Sequence, residues 1–126
     1  MPSIKNEITR YSDSELSVFE KLINEKLTAS RGELDFLMNQ LQEMAQNPDT
    51  KVKGLDDGLS TVESERLTTL AGRQRKLISH LENALIRIKN KIYGVCRETG
   101  VLISKERLMA VPHATLSIAA KQSKIK

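Results

Sequence analysis

Between Ser12 and Gln46 the apolar residues return at alternating intervals of three and four. Leu16, Ile23, Leu37 and Met44 lie on one seven-residue ladder interrupted by Ser30; Leu27, Leu34 and Leu41 lie on a second, interrupted by Glu20. Seven apolar residues in nine slots predict a single amphipathic helix with a coiled-coil seam. At 1.5 Å per residue it would run to roughly 50 Å, far more than a small globular core requires. Ser12 followed by Glu15 reads as a capping box that starts it, and Pro48 ends it.

One long helix with an apolar seam needs a partner, and the chain supplies one. Asn47 to Leu59 is a polar connector containing Gly54 and Gly58, and Ser60 with Glu63 reads as a second capping box. Behind it Leu67, Leu70, Leu77, Leu81, Ala84 and Ile88 form a seam broken by Gln74. Two helices at about 12–46 and 60–91, seam against seam, predict an antiparallel hairpin with the connector at an exposed tip. From Tyr93 the pattern changes. Tyr93–Cys96 and Val101–Ser104 read as a short β-hairpin turning near Gly100, Lys105–Ala110 as a helical turn stopped by Pro112, and Thr115–Lys121 as a final helix. Gln122–Lys126 are expected to be disordered. The predicted fold class is mainly α: a long antiparallel two-helix coiled-coil hairpin with a small C-terminal zinc-finger-like base module. The domains are 1–92, with its tip at about 47–59, and 93–126.

Only four of the 126 residues are aromatic, too few for the usual core of an α/β enzyme or a β-sandwich. Residues 1–50 carry five basic and nine acidic side chains; residues 51–126 carry fifteen and seven. A basic second half suits nucleic acid, but an acidic first half of the same fold can also balance it. One cysteine excludes a disulfide framework and an all-cysteine metal site. No apolar run approaches a membrane span and no signal region opens the chain, so a cytoplasmic protein without a membrane partner is expected. His80 and His113 have no partner pattern, and no phosphate-cradling loop or nucleophile–base set is visible, so no enzyme is expected. At the tip, Gly54-Leu55-Asp56-Asp57-Gly58 puts two adjacent carboxylates in a turn. Asp and Gly build turns and caps, and composition alone favours that use. A rod with acidic groups at its end could instead deliver them into a cleft of a larger partner.

Tyr93-Gly94-Val95-Cys96, then Gly100, Ile103, Glu106-Arg107-Leu108, Ala110, Pro112 and Ala114-Thr115-Leu116-Ser117-Ile118 resemble the DksA/TraR family of bacterial transcription regulators. The resemblance continues upstream through Arg75-Lys76-Leu77-Ile78 and Leu85, and reaches the first helix by pattern only. The family's finger has the spacing Cys-x2-Cys-x17-Cys-x2-Cys. Counted from Cys96, its four slots here hold Cys96, Thr99, Ser117 and Ala120. The frame persists, but a tetrahedral zinc site needs four deprotonated donors and this set offers one. Zinc is therefore expected to be absent. The module would be held by Val95, Val101, Ile103, Leu108, Val111, Leu116 and Ile118, with Cys96 as a small buried core residue.

The resemblance implies a function as well. Family members bind RNA polymerase, insert the coiled coil through its secondary channel and change the stability of promoter complexes. The tip motif Asp-x-x-Asp-x-Ala falls on Lys53, Asp56 and Gly58, so the second Asp is kept and Asp57 is added beside it. The family's pocket for the alarmone ppGpp falls on His80, Val111 and Lys121, with a fixed charge at only one of the three. The implied protein is a monomeric transcription regulator whose partner is RNA polymerase. Asp56 and Asp57 would act at the tip, and Arg73, Arg107 and Lys121 would dock at the base. Direct sequence-specific DNA binding is not expected. The alternatives are a helical-hairpin adaptor or nucleic-acid binder using the basic half, and a self-associating coiled coil.

Overall fold

The computed structural model describes residues 10–46 and 54–125, with side chains for 10–46 and 61–122. Four helices follow in order: α1 (Asp13–Gln46), α2 (Gly54–Lys89), α3 (Lys105–Ala110) and α4 (Ile118–Ile125). By packing, the chain divides into one unit made of Met1–Lys26 with His80–Lys126 and another made of Leu27–Ser79.

The Ser12–Glu15 box is formed. The Ser12 N–H donates to Glu15 Oε1 at 3.1 Å, and the Glu15 N–H donates to Ser12 Oγ at 3.2 Å. Two donors that the first helical turn leaves orphaned are thus satisfied reciprocally. The second box is not an N-terminus, because α2 begins at Gly54. Glu63 instead meets Arg66 one turn on, with Arg66 Nη2 2.6 Å from Glu63 Oε1. Carboxylates such as Asp56 and Asp57 are favourable in a first turn, where the helix dipole is positive, and this offsets the helix cost of Gly54 and Gly58.

In the unit Leu27–Ser79, Leu37, Leu67 and Ala71 are buried together, with Leu34, Leu41, Met44 and Leu70 packed against them. Arg75 Nη2 donates to Met38 Sδ at 3.0 Å, a further tie between the two helices in this unit. Two seam interruptions fall in this unit: Ser30 is buried, and the Gln74 Oε1 atom is buried with no partner, whereas Glu20, in the other unit, is exposed.

The other unit has an aromatic centre. Tyr11, Phe19 and Tyr93 are buried, with ring centroids 5.7 Å apart for Tyr11–Phe19 and 5.3 Å for Phe19–Tyr93. Leu16, Ile23, Leu81, Ala84, Ile88, Ile103 and Leu108 complete the core. Helix α2 closes in a Schellman turn: the Ile92 N–H donates to Arg87 O and the Lys91 N–H to Ile88 O, both at 3.0 Å. Lys91 takes the left-handed position at φ 65° usually given to glycine. Its ammonium then pairs with Asp13 at 2.9 Å, so the start of α1 meets the end of α2 in this unit, as it does in an antiparallel pair.

Three expectations for the C-terminal residues need correction. The β-hairpin is reduced to one antiparallel bridge, Val95 with Leu102, and no strand forms among the described residues. Gly94 and Gly100, both at positive φ, curl the chain too tightly for a longer ladder. Val101 and Ile118 are 61% and 53% exposed, so they do not hold the module; the aromatic residues do. The final helix starts at Ile118 and continues to Ile125, through residues expected to be disordered. Helix α3 spans the predicted residues Lys105–Ala110.

Candidate functional site

The sequence placed function at a tip, a finger and a set of basic residues. Residues 47–53 of the tip lie outside the described residues. Asp56 and Asp57 fall in the first turn of α2 rather than in a loop, and their side chains also lie outside the described set.

The finger frame is described in full. Cys96 is buried, and its thiol accepts hydrogen bonds from the Thr99 side chain and from the backbone N–H groups of Ser117, Thr99 and Glu98. Burial pushes the thiol up, but these donors outweigh it and bring it down to about 6. The other slots serve turn chemistry. Thr99 Oγ1 accepts from the Val101 N–H at 3.3 Å, Ser117 Oγ accepts from the Ala120 N–H at 3.2 Å in the first turn of α4, and Ala120 is packed inside. One thiol, two hydroxyls and a methyl do not fit zinc. Among the described residues no three His, Cys, Asp or Glu side chains gather as a metal site.

Two arginines hold the segment before α4, Arg97 from the knuckle at Cys96 and Arg107 from α3. The Arg97 N–H donates to Thr115 O at 2.9 Å, and Arg97 Nε donates to Thr115 Oγ1 at 3.1 Å. Arg107 Nε donates to Leu116 O at 2.9 Å, which turns part of a predicted docking residue inward. Lys121 is exposed on α4. Arg73 is exposed in the unit Leu27–Ser79, where it lines a shallow groove of about 350 Å³ with Val62, Glu65, Arg66, Thr69 and Leu70.

An antiparallel hairpin is expected to bring residues 1–11 beside the base, and Tyr11 takes part in it. The Tyr11 hydroxyl donates to Ile103 O, and the Tyr93 hydroxyl donates to Pro112 O at 2.7 Å. Burial, with a smaller contribution from Tyr11, pushes the Tyr93 phenol up, so it stays a donor at any physiological pH. Lys105 pairs with Glu15 and lies 6.0 Å from the Tyr11 ring centroid. The hydrogen bond from Lys105, then those from Ser12, bring the Glu15 carboxyl down to about 2. His80 and His113, which showed no partner in the sequence, are stacked on each other.

Against known proteins, the pattern described as the prokaryotic dksA/traR C4-type zinc finger matches residues 91–126. A Caulobacter vibrioides protein named RNA polymerase-binding transcription factor DksA is 50% identical over 50 residues, covering 40% of this chain and 35% of that protein. The protein of the same name from Salmonella typhimurium is 29% identical over 111 residues, covering 87% of this chain and 71% of the relative. The solved structure of transcription factor DksA2 from Pseudomonas aeruginosa superposes with a TM-score of 0.81 at 24% identity, over 89% of this chain and 84% of that one. The retained finger frame and these alignments support membership of the DksA/TraR family, and the superposition shows the same fold.

Proposed function

We propose that this protein is a non-enzymatic transcription regulator that acts in the cytoplasm by binding bacterial RNA polymerase. The observation that carries the reading is the 111-residue alignment with a relative named as an RNA polymerase-binding transcription factor. It covers 87% of this chain, more than the C-terminal module alone.

In this reading the hairpin of residues 1–92 enters the polymerase secondary channel, and the module 93–126 stays at the rim. The first turn of α2 brings Asp56 and Asp57 toward the catalytic magnesium region, where negative charge alters the lifetime of promoter complexes. Arg73, Lys121 and the outward part of Arg107 supply docking charge. The base works without zinc. Because Lys121 alone keeps a fixed charge among the alarmone slots, regulation does not require ppGpp.

The test is replacement of Asp56 and Asp57 together by Asn. Asn keeps the helix-start and turn-forming capacity, so stability should change by no more than about 1 kcal/mol. Polymerase affinity should stay nearly unchanged while the effect on open-complex lifetime disappears. Full activity in the double variant would reduce the carboxylates to structural residues. A salt-dependent shift of DNA by the protein alone would favour nucleic-acid binding instead.

A further inference from the structure

His80 and His113 are 33 positions apart, yet their rings lie 5.4 Å apart between centroids with planes within 8°. His80 is exposed on α2, whereas His113 is half-buried in the segment between α3 and α4. The Nδ1 atom of His113 is fully buried and has no hydrogen-bond partner. The backbone on either side is fixed: Pro112 O accepts from Tyr93, and the Ala114 N–H donates to Val111 O at 3.0 Å. With the backbone anchored, the ring reaches water only by rotating out of its stack on His80.

We propose that the stacked His80–His113 pair is a proton-sensitive latch, holding the segment Val111–Ser117 against α2 while both rings are neutral and releasing it when they charge. A charged His113 would carry an N–H at a buried atom that has no acceptor, and it would face a second ring able to take the same charge. The charged groups on neighbouring elements do not relieve this. On α3, Arg107 donates to Leu116 O and Lys105 is paired with Glu15. At the end of α2, Arg87 donates to Val95 O. Tyr93 is neutral and spent on Pro112, and Lys121 on α4 is a cation that offers no acceptor. His80 is the titratable group whose charge acts on His113; burial and that charge both disfavour the cation.

The sign follows from proton linkage. The neutral ring is favoured in the fold, so the unfolded segment binds more protons once the pH falls through the ordinary histidine value of about 6.5. Stability of the segment is complete above that value and declines below it. The latch is independent of what the protein docks on.

The test is a nuclear magnetic resonance titration of both imidazoles with amide exchange of residues 113–117, corrected for intrinsic chemistry. His113 is expected to titrate below free histidine, and exchange to accelerate about five- to eightfold between pH 7 and pH 5.5, close to the limit for one proton. His113→Phe keeps a ring in the stack and should remove the acceleration. His80→Phe leaves His113 in place and should raise its midpoint. Titration of His113 at or above the free value would overturn the proposal. So would equal acid acceleration in the wild type and either variant; if His113→Phe does not fold, the other two measurements decide.

Discussion

Gly94 is where the base is most sensitive to a single methyl group. Its φ is +80°, and a Cβ there would lie 2.6 Å from both Cδ2 and Cε2 of Tyr11 and 3.2 Å from Leu108 Cδ1. The left-handed backbone costs a non-glycine residue about 1–2 kcal/mol. The contact with Tyr11 cannot be relieved by a small rotation, because the ring is buried, its hydroxyl is bonded to Ile103 O and it packs edge-to-face with Phe19. Expelling the ring forfeits its burial and its hydrogen bond, about 2–3 kcal/mol more. Gly94→Ala should therefore destabilise the base by about 3–5 kcal/mol, a large share of a small domain's total. Gly100 is the internal control, since its φ is +75° and a Cβ there would meet nothing within 4 Å. Gly100→Ala should cost the backbone amount alone. Urea unfolding followed by tyrosine fluorescence reads both variants, and placing Gly94→Ala in a Tyr11→Ala background should remove the excess. If Gly94→Ala proves no worse than Gly100→Ala, the steric argument fails.

Arg107→Met keeps the aliphatic stem but removes the donor to Leu116 O. It should lower base stability by about 1–2 kcal/mol in chemical denaturation, whereas an unchanged midpoint would return Arg107 to docking alone. Glu15 is held down to about 2 by Lys105 and then Ser12, so its contribution is complete above about pH 4.5 and is lost as the pH falls through 2. Glu15→Gln should flatten the stability profile across that interval, and an unaltered acid limb would refute the assignment. Elemental analysis should find no stoichiometric zinc, and a chelator should leave the melting curve unmoved; one zinc per chain would overturn the argument from the donor set.

What could be read in advance was local and periodic. The Ser12–Glu15 box, the seams of both helices and the bounds of α3 rest on spacings of a few residues, and they are formed as expected. The errors arose where one local pattern has two physical uses. Ser60 and Glu63 carry the spacing of a cap, but Glu63 at the same spacing pairs with Arg66 inside a continuing helix. Gly54 and Gly58 signal a turn, while the carboxylates between them favour a first helical turn. The expected packing of residues 1–11 beside the base follows from the hairpin, but the particular side-chain pairings lay beyond reading. The bond from Tyr11 to Ile103 joins residues 92 apart, and the stacking of His80 on His113 depends on a segment whose path only the folded chain defines. Neither residue pair leaves a periodic trace.

The emptied finger raises the question of what takes over the work of four metal ligands. A structural zinc contributes about 10–16 kcal/mol of apparent folding energy, and it joins the two knuckles directly. Here the knuckles are joined by Arg97 to Thr115 and by the Ser117 N–H to the Cys96 thiol, while Arg107 ties α3 to Leu116. At about 1 kcal/mol each, with charged donors somewhat higher, these bonds fall well short of the metal. The remainder must come from burial, and the large buried side chains include Tyr11, Phe19 and Tyr93. Two of these three lie in or just before α1, outside the finger itself. The order of residues 93–121 is thus coupled to the start of α1 in a way that a metal-closed module would not need. Contacts made by Tyr11, Glu15 and Phe19 are accordingly part of the finger's own stability, although 74 to 82 positions separate them from Tyr93 in the chain.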